Sequence, residues 1–144
     1  MSVLTSTEGN KAVVHGMFEE IFNKGDITAL DDICSSNCVL ETPGVSSEQG
    51  IKEGFEAFKQ RIISLRNAFP DLQYTIDSTV VDDNKVAISS TLNGTHKGEF
   101  AGIAPTGKQI RAAELYFIHL TDGKIERIRL CPFGSPVIKL LQEA

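Results

Sequence analysis

The sequence has no excess of basic residues, no long apolar run and no paired-cysteine motif, and each absence removes a class of function. Lys and Arg total 14 against 19 Asp and Glu, a net charge of −5. The cations are scattered, so the chain lacks the basic face that nucleic acid or an anionic membrane requires. No stretch approaches the roughly 18 apolar residues of a membrane helix. Met1-Ser2-Val3-Leu4-Thr5 has neither the basic nor the apolar region of a secretory signal, so a cytoplasmic protein is expected. Cys34, Cys38 and Cys131 form no CxxC and read as buried thiols in a reducing compartment. His15, His96 and His119 are not at ligand spacing, so no metal is expected. P-loop, GxGxxG and nucleophile-elbow motifs are absent, leaving nucleotide, dinucleotide and covalent hydrolase readings without support. No cofactor is expected.

What is present fits a single domain over residues 1–144, with 41% hydrophobic and 23% charged residues. Thr5 and Glu8 have capping-box spacing, Val14, Met17, Phe18 and Ile21 form an apolar face, and Gly25 is a natural stop. Asp26 is placed to cap a short second helix through Ile33. Ile51, Phe55, Phe58, Ile62, Leu65 and Phe69 make one continuous helical stripe, ended by Pro70. A helix with such a stripe lies against a broad apolar surface, most simply a sheet.

Strands follow. Leu72 to Val81 alternates, with Tyr74, Ile76, Ser78 and Val80 expected on one side. Val86 to Leu92, Ile110 to Leu120 and Ile125 to Cys131 are further strands, joined by Asp82-Asp83-Asn84, a loop, and Thr121-Asp122-Gly123-Lys124. Ser135-Pro136 opens a terminal helix. The order α-α-(short β)-α-β-β-β-β-α predicts an α+β fold, an antiparallel sheet covered on one face by helices.

In this order and spacing, several segments resemble the SnoaL-like polyketide cyclases, which share the cone-shaped fold of nuclear transport factor two. They are Asn10 to Val14, Phe22-Asn23-Lys24-Gly25-Asp26, Ala68-Phe69-Pro70-Asp71-Leu72, Gly94 to Phe100, Gly102 to Lys108 and Asp122-Gly123-Lys124-Ile125. The resemblance implies a curved sheet wrapped by helices around a deep pocket. It also implies an aspartate near the end of the last strand as general acid/base for an aldol ring closure. Here the sequence departs. Counting from Asp122-Gly123-Lys124-Ile125 puts Arg129 at a tryptophan of many relatives and Phe133 at the aspartate, and a histidine of the short strand is replaced by Glu41.

The candidate proton carriers are therefore Glu41, which the family geometry would aim at the cavity mouth, and Glu114. Period two puts Glu114 with Ala112, Tyr116 and Ile118, and Ala113, Leu115 and Phe117 opposite; pattern alone lets either face line the cavity. Arg129 and His96 are candidate partners that orient a carboxylate or bind an oxyanion. His15, Phe18, Phe22, Tyr116, Phe100 and Phe133 are candidate ligand contacts, although His15 also reads as a solvent-facing helical histidine. Gly98 to Gly107, with Phe100, Ile103 and Pro105, reads as a rim or lid. Three functions stay open: a cofactor-free cyclase, isomerase or epoxide-opening enzyme on a small apolar oxygenated molecule, a non-catalytic binding module, or a dimerisation domain. A homodimer through the outer sheet face is expected.

Overall fold

The computed structural model describes residues 6–42, 51–133 and 137–142, with the side chains of Ser6, Ile51, Lys52 and Phe133 outside that description. Helix α1 (Ser6–Gly16) widens after Gly16 into a π-helical segment at Met17–Asn23. Its apolar face is the expected one: Val14, Met17, Phe18 and Ile21 are buried. Thr5, the first half of the anticipated capping box, lies outside the described residues. The segment ends at Gly25, whose φ of +80° suits a residue without Cβ. The Arg66 guanidinium donates to the carbonyls of Phe22 and Asn23 at 2.7 and 2.9 Å, satisfying acceptors that a helix end leaves orphaned.

Helix α2 (Leu30–Ile33) follows a 3-10 turn at Ile27–Ala29. Asp26 does not cap it. The Asp26 carboxylate instead accepts from the Thr28 hydroxyl at 2.8 Å. Strand β1 (Cys34–Thr42) and the short β2 (Ile51–Glu53) come next, then helix α3 (Phe55–Ala68). Ile51 is thus no part of the helical stripe: it pairs with Thr42 across β1–β2, and Gly54 caps the helix that starts at Phe55. Strands β3 (Gln73–Asp82), β4 (Lys85–Thr95), β5 (Gln109–Thr121) and β6 (Lys124–Phe133) are antiparallel neighbours. Helix α4 (Val137–Gln142) closes the described chain; Ser135 and Pro136 lie outside it. Among the described residues no helix is long and apolar enough to cross a membrane.

The sheet order is β2-β1-β6-β5-β4-β3, with β1 and β6 parallel. The helices cover one face, and the sheet curls around them as an unclosed cone. The core gathers Phe18, Phe58, Phe69, Ile88, Leu92 and Ile128 on that inner face. On the outer face Leu115 and Phe117 are each 42% exposed. Cys34 and Cys38 are buried as expected, but Cys131 is exposed, because it pairs with Leu115 on the outer side.

Strand β3 breaks the expected alternation. Its register against β4 shifts between Ile76 and Ser78, so Asp77 is an extra residue. A bulge of one residue reverses the parity of everything after it. Tyr74 and Ile76 face inward, whereas Val80 is 66% exposed and Thr79 and Val81 turn in instead.

Candidate active site

The inner face of the sheet and one side of α3 enclose a cavity of about 150 Å³. Phe58, Ile62 and Leu65 of α3 form one wall, and Leu40, Leu92 and Leu130 of the sheet form the other. Phe22 closes one side, while Phe100, Val137 and Ile138 stand at the rim. An apolar space of this size holds about one benzene-sized ring. A larger ligand requires the rim to move.

Into this apolar wall the strands set a small polar group of residues. Glu114 of β5 is 8% exposed. The Tyr116 hydroxyl, two residues on and therefore on the same face, donates to Glu114 Oε1 at 3.0 Å. It also stands 3.3 Å from the Tyr74 hydroxyl of β3. Tyr74 is fixed in turn by Asn23: its N–H donates to Asn23 Oδ1 at 2.7 Å and its carbonyl accepts from Asn23 Nδ2 at 3.0 Å. The π-helical segment thereby aligns both Phe22 and Tyr74 on the cavity.

Burial in this setting pushes the Glu114 carboxyl above its ordinary value of 4.5, against the opposing pull of the two phenols and the Arg61 guanidinium. Burial, then the neighbouring Glu114 charge, holds both Tyr74 and Tyr116 well above 10.0, so both remain hydroxyl donors. The Thr42 hydroxyl is buried in the wall and has no partner among the described residues. Among the described residues, Arg61 of α3 is the cation of the cavity wall, and its ion pair is a long one of 3.9 Å to Glu53. The arrangement supplies a proton carrier, two phenolic donors and a cation inside an apolar enclosure.

The family model of the SnoaL-like polyketide cyclases matches residues 12–132. The chain belongs to this family.

Its sheet and helices have the NTF2-like fold of the family's solved members. AclR of Streptomyces galilaeus, described as a candidate hydroxylase, superposes with a TM-score of 0.81 at 22% identity, covering 96% of this chain and 83% of its own. IdmH of Streptomyces antibioticus gives 0.76 at 25% identity, covering 93% and 99%. Among curated proteins, the aklanonic acid methyl ester cyclase AcmA of Streptomyces galilaeus is 42% identical over 41 residues, 28% of each chain. That match spans under a third of the relative's length.

Within this SnoaL-like cone the sequence candidates separate. Glu114, Tyr116, Phe22 and Phe100 line the cavity. Glu41 does not. Leu40 and Thr42 take the inner positions of β1, so alternation turns Glu41 outward, where it meets Arg129 Nε at 3.0 Å and Arg127 Nε at 3.7 Å. Arg129 pairs with the exposed Phe117, which places it on the outer face too. His96 is fully buried behind Phe69 and outside the cavity wall. Its Nδ1 accepts from the Thr106 N–H at 3.1 Å, pinning the base of the 98–107 segment. His15 sits in a shallow groove over β3, with Nε2 at 2.9 Å from the Thr79 hydroxyl. Phe18 packs edge-on behind Tyr116 at 5.0 Å and supports the wall without forming it. The Phe133 side chain lies outside the described residues; the β6 residues that do line the cavity are Leu130 and Pro132, neither titratable.

Sequence reasoning missed Tyr74, Thr42 and Arg61. Arg61 carried a signal, since it lies three residues after Phe58 and four before Leu65, on the edge of the apolar stripe.

Proposed function

We propose that this SnoaL-like protein is an acid/base enzyme acting on a small, apolar, oxygenated molecule, a cyclase or isomerase of polyketide type that uses side-chain chemistry alone. One observation carries the reading: a carboxyl group buried in an apolar cavity, with a phenol hydrogen-bonded to it. Structural burial of an acid is costly without a partner charge, and perturbed carboxyls in clefts mark functional sites. In the cyclase reading the Glu114 carboxylate takes a proton from a carbon next to a carbonyl. The Tyr74 hydroxyl donates to the enolate oxygen that forms, while the Tyr116 hydroxyl stays hydrogen-bonded to Glu114. The enolate carbon attacks a second carbonyl, and Glu114 returns its proton to the resulting alkoxide. AcmA is named for ring closure of a methyl ester, which is chemistry of this class. The fold itself does not set the reaction.

The test needs no known substrate. Deuterium exchange at the α-carbon of 1-indanone, followed by NMR, reads proton abstraction in the cavity. Exchange accelerated by the protein and reduced by roughly 10²–10⁴-fold in Glu114→Gln supports the reading. Equal exchange with the variant and the native protein overturns it and leaves a binding module.

The 98–107 segment acts in this proposal as the lid. It folds back through a Phe100–Ile103 bridge and sets Phe100 in the cavity wall. Homodimerisation through the outer face, where Leu115 and Phe117 are exposed, completes the proposal. Light scattering at micromolar concentration is expected to give twice 15.7 kDa, and a monomer mass rejects it.

A further inference from the structure

We infer that the β1–β2 end of the cavity is a carboxylate subsite, in which Arg61 and Thr42 select the free acid of an apolar ligand over its ester. The inference rests on reading the cavity as the substrate site and adds the class of ligand it takes.

Among the described residues, two independent groups at this end lack a close partner. Arg61 offers a planar fork of donors whose geometry matches a carboxylate. Its protein partner, Glu53, stands at 3.9 Å, too far for a hydrogen bond. The Thr42 hydroxyl, on a residue 4% exposed, has no partner among the described residues. A buried hydroxyl without a partner costs free energy unless a ligand supplies one.

The sheet register brings the two together. Glu53, which marks the position of the guanidinium, pairs with Leu40 on β1. Thr42 is two residues along the same strand, its Cα roughly 7 Å from that of Leu40, and both Thr42 and Arg61 line the cavity. One carboxylate between them would accept from the Arg61 fork and from the Thr42 hydroxyl, displacing the long contact to Glu53. The remaining wall near this end, Leu40, Phe58 and Ile62, is apolar and fits a ring system attached to that carboxylate. An ester presents the same shape without the charge, and the Arg61 guanidinium then gains no anion in exchange for Glu53.

The experiment titrates 2-naphthoate and methyl 2-naphthoate into the native protein, Arg61→Gln, Thr42→Val and Glu114→Gln at pH 7.5 and low salt, following ligand fluorescence. The native protein is expected to bind the acid at least 10-fold more tightly than the ester. Arg61→Gln abolishes that preference and leaves the ester within about 2-fold of native. Thr42→Val reduces the preference by roughly 3-fold. Because Arg61 is half-exposed, its variant should melt with the native protein, which a thermal scan checks. Equal affinities for acid and ester, binding of neither, or a preference retained in Arg61→Gln each overturn the inference. Glu114→Gln separates it from the catalytic reading: loss of α-proton exchange with the acid preference intact ties exchange to Glu114 and selection to Arg61. Acid preference in the native protein without any exchange leaves the subsite standing and removes the enzyme.

Discussion

Replacing Glu114 by Gln keeps the shape of the side chain and its acceptor for the Tyr116 hydroxyl, but removes ionisation. The folded protein holds this carboxyl above its ordinary 4.5 because burial disfavours the charged form. In the unfolded chain it ionises at that ordinary value. The folded state therefore keeps a proton that the unfolded chain has already released. The resulting contribution to stability is complete below pH 4.5 and is lost as pH rises through the raised folded value. Inside that window the native protein loses about 1.4 kcal/mol per pH unit relative to Glu114→Gln, which has no such dependence. For a chain of this size 1 kcal/mol moves Tm by roughly 4 °C, so the difference in Tm grows in favour of the variant by about 5 °C per unit. The new amide adds two donors to an apolar wall, a cost of about 1–3 kcal/mol that is the same at every pH. The slope of the difference is thus the diagnostic quantity, and its intercept is not. Calorimetric or near-ultraviolet dichroism scans from pH 4 to 9 measure it. Two parallel Tm-against-pH curves would refute the assignment of Glu114 as a desolvated, titrating carboxyl.

Further outcomes follow from the packing. Leu40 is 1% exposed in the cavity wall, so Leu40→Ala should cost roughly 2–5 kcal/mol in chemical denaturation and enlarge the cavity enough to favour bulkier rings over 2-naphthoate. Ala101, with φ +51°, precedes Gly102 in the tight turn of the rim, and Ala101→Gly should raise stability by about 0.5–1 kcal/mol in the same assay by relieving a left-handed alanine. A Cβ at Gly98 would stand 2.5 Å from the Asn67 carbonyl oxygen, so Gly98→Ala should detach the rim from α3 and speed amide exchange over 98–107. Arg66→Met removes two charge-assisted bonds from the end of the π-helical segment and should cost about 2–3 kcal/mol, with faster exchange at Asn23 and Tyr74.

The fold was legible in the sequence because its signals are local and repeated. The α3 stripe from Phe55 onward, the stop at Pro70 and the turns at Asp82-Asp83-Asn84 and Asp122-Gly123 each fix an element or one of its ends, whereas Ile51, which opened the expected stripe, belongs to β2. The site was legible only in part, because it depends on parity set at a distance. Both faces of β5 carry apolar residues in sequence, and what decides for Glu114 is the coverage of its side by helices far away in the chain. Glu41 fails as a cavity residue because β1 pairs in parallel with β6, 88 residues on, in a register that sends it to Arg129. The outward turn of Val80 was hidden by the bulge at Asp77, which no composition or period announces.

The departure at the end of β6 has a geometric counterpart on the next strand. Phe133, at the position where the family resemblance expects the acid/base aspartate, pairs with Ala113, and Pro132 pairs with Glu114. Directly opposed residues of antiparallel strands have Cα atoms about 4.5–5.5 Å apart. Pro132 is the β6 residue that shares the inner face with Glu114, because Ala113, one residue back on β5, belongs to the opposite face. The carboxyl at this height of the cavity therefore comes from β5, and the Tyr116 hydroxyl beside it donates the hydrogen bond that holds it in place. Leu130 and Pro132 on the vacated strand are then free to be apolar, which dries the site and raises the Glu114 carboxyl further. In the proposed enzyme the proton carrier stands on β5, and the apolar β6 wall opposite it is part of what keeps it poised.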